Sequence, residues 1–149
     1  MKQKYIDLYM DWAKRCAQLS HARRLQVGSV IVKDDSVIGY GYNGMPSGWD
    51  NNCEDEIISE VDEKFVKVLK TKPEVLHAES NAISKLARST NSGRDADIFI
   101  THAPCIDCAK LILQSGIRRV YYGNQYRDDY GVKFLRTSGI EVTQIGNQV

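Results

Sequence analysis

From residue 77 onward the chain alternates helix and strand, and that alternation is its strongest constraint on fold. Residues 77–88 place Ala78, Ala82, Ile83 and Leu86 at helical spacing. Residues 97–101 read as a strand, 105–115 as a helix closed by Gly116, and 118–122 as another strand. Residues 131–137 read as a short helix closed by Gly139, and 140–145 as a last strand. Alternation of this kind puts strands between layers of helix, an α/β architecture.

The upstream half adds a helix and a hairpin. Ile6, Tyr9, Met10, Ala13, Cys16 and Ala17 recur at helical spacing, which predicts a helix over residues 4–19 with Cys16 as a small buried hydrophobe. Residues 27–33 and 36–42 read as strands joined at Asp34-Asp35, and residues 43–52 as a glycine-rich loop. Residues 50–63 hold seven acids and no Lys or Arg, and residues 64–72 then hold Lys64, Lys67, Lys70 and Lys72. Ile57, Ile58, Val61, Phe65, Val68 and Leu69 keep helical spacing through this charge switch. Acid at the start and base at the end suit the helix dipole, so the pattern predicts a helix, which Pro73 ends.

Size and charge narrow the function classes. The 149 residues suit one domain, 1–149, with enough core to fold without disulfides. The net charge of +1 argues against holding nucleic acid by bulk charge, yet it allows a phosphate-bearing small ligand. No apolar run approaches the ~18 residues of a membrane span, and Met1 to Asp11 lacks a signal-peptide pattern. A cytoplasmic enzyme without a disulfide framework is therefore expected.

The chemistry concentrates in His77-Ala78-Glu79 and in Pro104-Cys105-Ile106-Asp107-Cys108. The cysteines lie three apart at a predicted helix start, so both sulfurs share one face, where the helix N-terminus favours thiolate. Taken alone the cysteine pair reads equally well as buried packing. With Pro104 before it and His77-x-Glu79 upstream, it reads as a metal site of His77, Cys105 and Cys108. Three protein ligands leave a tetrahedral zinc one open position, the mark of a catalytic site. Glu79 stands near enough to serve that position as a proton carrier without ligating the metal.

His-x-Glu followed by Pro-Cys-x-x-Cys is the signature of zinc nucleobase deaminases. The chain resembles the cytidine/deoxycytidylate deaminase superfamily, and within it the deoxycytidylate deaminases of bacteria and bacteriophages. The resemblance runs through Arg24-Leu25-Gln26-Val27-Gly28, Gly41-Tyr42-Asn43-Gly44-Met45-Pro46-Ser47-Gly48 and His77 to Ile83. It continues through Thr101 to Cys108, Gln114 to Ile117 and Tyr126-Arg127. The glycine-rich loop is the part that narrows the match to the deoxycytidylate enzymes.

That resemblance implies a three-layer sandwich with a five-stranded mixed sheet flanked by helices. It implies zinc-dependent conversion of dCMP to dUMP and ammonia, with Glu79 shuttling protons. Substrate contacts are implied from Arg24, Asn43, His77, Ala78, Glu79, Thr101, Ala103, Pro104, Tyr126 and Arg127. Asn43 is expected at the deoxyribose and Arg24 and Arg127 near the 5′-phosphate. Family members are homohexamers, activated by dCTP and inhibited by dTTP with Mg2+. Tyr42, Asn43, Gly44, Met45, Gly48 and Asp50 are the expected regulatory positions. Some phage relatives also hold a second, structural zinc; here Cys53 matches one ligand, but Ala22 and Val75 stand at two others, so Cys53 is expected as a free thiol. Superfamily cousins acting on cytidine, guanine or tRNA adenosine are the rival reading, and a non-enzymatic zinc module that binds nucleic acid is a weaker one, since it leaves Glu79 without a task.

Overall fold

The computed structural model describes residues 1–146. In chain order the elements are α1 (Gln3–Ala17), β1 (Gly28–Lys33), β2 (Ser36–Tyr42), β3 (Glu54–Val61), β4 (Lys64–Thr71), α2 (Ala78–Ala87), β5 (Asp97–His102), α3 (Ile106–Gln114), β6 (Arg119–Asn124), α4 (Tyr130–Thr137) and β7 (Glu141–Gln144). Five strands form one mixed sheet in the order β2-β1-β5-β6-β7. β1 runs antiparallel to both β2 and β5, whereas β5, β6 and β7 are parallel. Parallel neighbours need a crossover, and α3 and α4 provide the two crossovers.

Strand alternation divides the core between the two faces of the sheet. Ile31, Ile98, Ile100, Val120 and Tyr122 point to one face, where Ala82 and Leu86 of α2, Ala109 and Ile112 of α3, and Val132 and Leu135 of α4 cover them. Val30, Val32, Phe99 and Tyr121 point to the other face, which Tyr9, Met10, Ala13 and Cys16 of α1 cover. Phe99 stacks on Tyr121 at 4.7 Å between ring centroids, its partner in the parallel register. The result is the expected three-layer sandwich, and Cys16 is buried within it.

Close approach of β2 to α2 requires glycine at position 41. A Cβ there would stand 2.3 Å from the Ala78 carbonyl oxygen and 2.8 Å from the Ala82 nitrogen. The contact sets the height of the α2 N-terminus, and hence of His77 and Glu79, against the sheet.

Residues 54–71 correct the expected helix. They form a separate two-stranded hairpin, with Ile57 opposite Val68 and Glu60 opposite Phe65. Its turn is Asp62-Glu63, both with positive φ (51° and 62°), as a two-residue hairpin turn needs. The charge switch that suits a helix dipole here serves cross-strand pairing: Glu56 meets Lys67 at 3.2 Å, and Lys72 donates to Asp55. The apolar side chains are not a core stripe, for Ile58 and Phe65 are 72% and 78% exposed. A strand that projects from the body faces no core, so its apolar residues follow neither period cleanly and their helical spacing is coincidental.

Candidate active site

Two helix starts meet to build the site. His77 precedes α2 and Cys105 precedes α3, each in extended conformation at the capping position. Neither side chain makes a capping hydrogen bond, so both are free to face each other instead. Cys108 lies in the first turn of α3, on the same face as Cys105. Pro104 sits outside that helix, before the capping residue Cys105 and two residues before the first helical position, Ile106. Gly131 at the start of α4 holds the Pro104–Cys105 segment in place: a Cβ there would lie 2.2 Å from the Pro104 carbonyl oxygen.

His77 Nδ1 lies 3.3 Å from Cys108 Sγ and 3.6 Å from Cys105 Sγ. All three ligand atoms fall within 4.8 Å of one another, and among the described residues this is the sole such His/Cys/carboxylate group. With Zn–S about 2.3 Å and Zn–N about 2.0 Å, a zinc tetrahedron has N···S edges of about 3.5 Å and an S···S edge of about 3.8 Å, and the two His77–Cys distances match the first, so the triad fits zinc. The cysteines share a proton unequally. A hydrogen bond from Cys108, aided by His77, holds the Cys105 thiol down to about 4. The same pairing and burial push Cys108 up. The hydrogen bond to Cys105 raises His77, against the opposing effect of burial.

Glu79, in the first turn of α2, is 4% exposed. Burial pushes its carboxyl up to about 6, against partial compensation by its own backbone N–H and by His77. A carboxyl so placed passes between acid and base forms near neutral pH, as a proton shuttle must.

A cavity of about 350 Å³ joins these groups to the substrate-binding candidates. Arg24, Asn43, His77, Ala78, Glu79, Ala103, Cys105, Tyr126 and Arg127 all line it. Arg24 and Arg127 also line a second hollow, together with Ile57, Ser59 and Val68 to Thr71 of the hairpin. Thr101 and Pro104 are buried beside the cavity but do not line it. Thr101 Oγ1 instead accepts the Gly28 N–H at 3.1 Å and lies 3.0 Å from His102 Nδ1. Asn43 lines the cavity, yet its amide is engaged with backbone: Val27 N–H donates to Oδ1 and Nδ2 donates to the Leu25 carbonyl, both at 2.8 Å. Its first task is therefore to hold the segment that follows Arg24.

Another hollow, of about 520 Å³, lies along the glycine-rich loop. Tyr42, Asn43, Gly44, Met45 and Gly48 line it, with His21 and the cationic side chains of Lys85 and Arg88 beside them. Asp50 does not line it; its Oδ1 accepts the Asn52 N–H in a turn. Ala22, Cys53 and Val75 form a small apolar cluster with Met45. This cluster packs hydrocarbon around the buried Cys53 thiol, which burial raises above its ordinary pKa. Glu54, Lys72 and His102 also line the catalytic cavity; Glu54 and Lys72 stand outside the motifs, whereas His102 lies inside the Thr101 to Cys108 stretch, between two expected contacts, and was passed over.

The comparisons agree with this geometry. Residues 3–124 match the model of the cytidine and deoxycytidylate deaminase zinc-binding region. The deoxycytidylate deaminase of Enterobacteria phage T4 is 30% identical over 156 residues, covering 80% of this chain and 79% of that protein. The human deoxycytidylate deaminase is 34% identical over 141 residues, covering 84% of this chain and 72% of its own length. The crystal structure of dCMP deaminase from the cyanophage S-TIM5, in complex with dCMP and dUMP, superposes with a TM-score of 0.85 at 39% identity. That alignment covers 97% of this chain and 99% of the cyanophage one. With its zinc-binding signature assembled at the meeting of two helix starts and matched along most of its length, the chain belongs to the cytidine and deoxycytidylate deaminase family.

Proposed function

We propose that the chain, as one deaminase domain, converts dCMP and water to dUMP and ammonia in the cytoplasm, supplying dUMP for thymidylate synthesis. The observation that carries this reading is a single cavity lined by His77, Cys105 and Glu79, with Cys108 clustered on the first two, and by Arg24 and Arg127. A cytosine ring needs the first set and a 5′-phosphate the second. The resemblance to the T4, human and cyanophage enzymes supports it.

His77, Cys105 and Cys108 are the residues that would hold zinc, which when bound activates a water for attack at neutral pH. Glu79 takes a proton from that water and delivers it to ring nitrogen 3, making carbon 4 electrophilic. The water oxygen bonds to carbon 4, and Glu79, again a carboxylate, takes the second water proton and passes it to the amine; the carbon 4–nitrogen bond then breaks to leave the carbonyl of dUMP and free ammonia. Burial of the carboxylate keeps bulk water from competing for its proton. Arg24 and Arg127 bind the phosphate, Tyr126 walls the cavity beside them, and Asn43 holds the loop that carries Arg24 in register.

Regulation belongs to the same reading. dCTP and dTTP, each with Mg2+, bind along Tyr42 to Gly48, with Lys85 and Arg88 toward the phosphates. Among the described residues no carboxylate lines that hollow, so the triphosphate itself carries the Mg2+. Asn43 borders both hollows and gives the two sites a shared residue. Assembly as a homohexamer accords with the exposed stripe of Tyr5, Leu8 and Trp12 on α1.

Ammonia release from dCMP and deoxycytidine in parallel tests the substrate. Arg24→Ala is expected to lower kcat/KM for dCMP by about 10-fold or more, the worth of a charge-assisted bond, and to leave the weak nucleoside activity nearly unchanged. Equal losses on both substrates would show Arg24 to be structural. For regulation, dCTP is expected to make the dCMP curve hyperbolic, dTTP to deepen its sigmoid, and Arg88→Ala to abolish both responses. Superimposable curves with and without triphosphate would sink the regulatory part alone.

A further inference from the structure

Glu54 opens β3 and is 1% exposed. Its Oε2 accepts two consecutive backbone N–H groups, from Arg23 at 3.0 Å and Arg24 at 3.1 Å. Its Oε1 is different: it is buried and accepts no hydrogen bond among the described residues. The nearest cation is Arg23, whose Nε stands 3.5 Å away and whose side chain is half exposed. Buried carboxylate oxygens are costly to leave without donors, so a solitary one bordering a cavity calls for an explanation.

The cavity is the catalytic one, for Glu54 lines it together with Arg24, Asn43, His77 and Glu79. A metal ion does not account for the free oxygen. The neighbours of Glu54 at Ala22, Cys53 and Val75 are packed as an apolar cluster, and the metal-competent group of the described residues lies elsewhere, at His77, Cys105 and Cys108. Asn43 does not satisfy it either: its amide bonds run to Leu25 and Val27, and none reaches Oε1. A donor on the bound ligand would complete the hydrogen bonding of this oxygen.

On the reading that the ligand is dCMP, chemistry leaves one choice. That nucleotide carries two hydrogen-bond donors, the 4-amino group and the 3′-hydroxyl. The amino group is the one lost and must face Glu79 and the triad. The phosphate is an anion, which a carboxylate repels. We propose that Glu54 determines sugar specificity, its Oε1 accepting a hydrogen bond from the 3′-hydroxyl of the substrate. The same carboxylate grips the backbone of Arg24 through Oε2, so the group that reads the sugar also sets the phosphate-binding arginine. A nucleotide without a 3′-hydroxyl leaves the oxygen unpaired, and one with a 3′-phosphate brings two anions together.

The test is a cycle between one side chain and one substrate atom. For the zinc-loaded wild-type protein, kcat/KM is measured on dCMP and on 2′,3′-dideoxycytidine 5′-monophosphate. A charge-assisted hydrogen bond predicts a ratio of about 10–100 in favour of dCMP. In Glu54→Ala the ratio is expected to fall to near 1, and in Glu54→Gln, which keeps the shape and an oxygen for the Arg23 and Arg24 amides, to an intermediate value. Thermal melts and zinc content accompany each variant, so that a folding defect in Glu54→Ala leaves Glu54→Gln to decide. A side chain that only braces the Arg23–Arg24 turn would lower both substrates alike, and an unchanged ratio in Glu54→Gln overturns the proposal. A wild-type ratio below about 3 overturns it as well. A wild type inert toward dCMP refutes instead the dCMP reading on which it rests.

Discussion

Replacing Glu79 by glutamine isolates the proton shuttle from everything else in the site. The substitution keeps the volume and removes only the titrating oxygen. The residue is 4% exposed, so no bulk water can take over its task, and the full contribution of general acid–base catalysis is at stake. That contribution is about 10²–10⁴ in rate, so kcat for dCMP deamination should fall by at least about 100-fold. Zinc content should not change, because the three clustered ligand atoms are those of His77, Cys105 and Cys108. The same variant has a second signature in metal-stripped protein. Burial raises the Glu79 pKa from 4.5 to about 6, which means that folding disfavours its charged form. A raised carboxyl pKa contributes stability at low pH that is lost as pH rises through about 6. At pH 7 the wild type therefore bears a penalty of about 2 kcal/mol that glutamine lacks. For a chain of this size the metal-free Glu79→Gln protein should melt roughly 4–8 °C higher at pH 7, with the gap closing near pH 4. Ammonia release, elemental zinc analysis and pH-resolved thermal melts are the assays. Retention of more than about a tenth of the wild-type rate would refute the assignment of Glu79 as the shuttle, and a metal-free variant no more stable than wild type would refute the desolvation argument.

Two further substitutions test the scaffold. Gly41→Ala forces a Cβ to within 2.3 Å of the Ala78 carbonyl oxygen, so α2 must shift and carry His77 with it; zinc affinity should fall together with about 1–3 kcal/mol of stability, measured by competitive chelation and denaturant melts. Asp97→Ala removes the carboxylate that Arg119 grips through two hydrogen bonds of 2.7 and 2.9 Å between β5 and β6, and should cost about 3 kcal/mol in denaturant unfolding while leaving the substrate preference intact.

The sandwich and the metal triad were legible in the sequence because both are written in local spacing. Helical and strand periods mark which face of each element meets the sheet, and these faces carry the two halves of the core. His77, Glu79, Cys105 and Cys108 stand at helix starts, where residue order alone implies convergence and thiolate stabilisation. Tertiary structure decided what local order leaves open. The 54–71 segment satisfies a helix dipole and a cross-strand ladder equally well by its charges, and only the absence of a core beneath it resolves the ambiguity in favour of the hairpin. Asn43 is spent on backbone groups that lie 16 and 18 positions away, a commitment that no motif records. The Glu54 carboxylate reaches back across 30 residues to the Arg24 amide, and in doing so leaves its other oxygen buried without a hydrogen-bond donor in a residue that lines the catalytic cavity. Contacts between residues so far apart exist only once the chain has closed on itself. Spacing can therefore specify the helix starts that hold a metal, while the reading of the sugar depends on the completed fold.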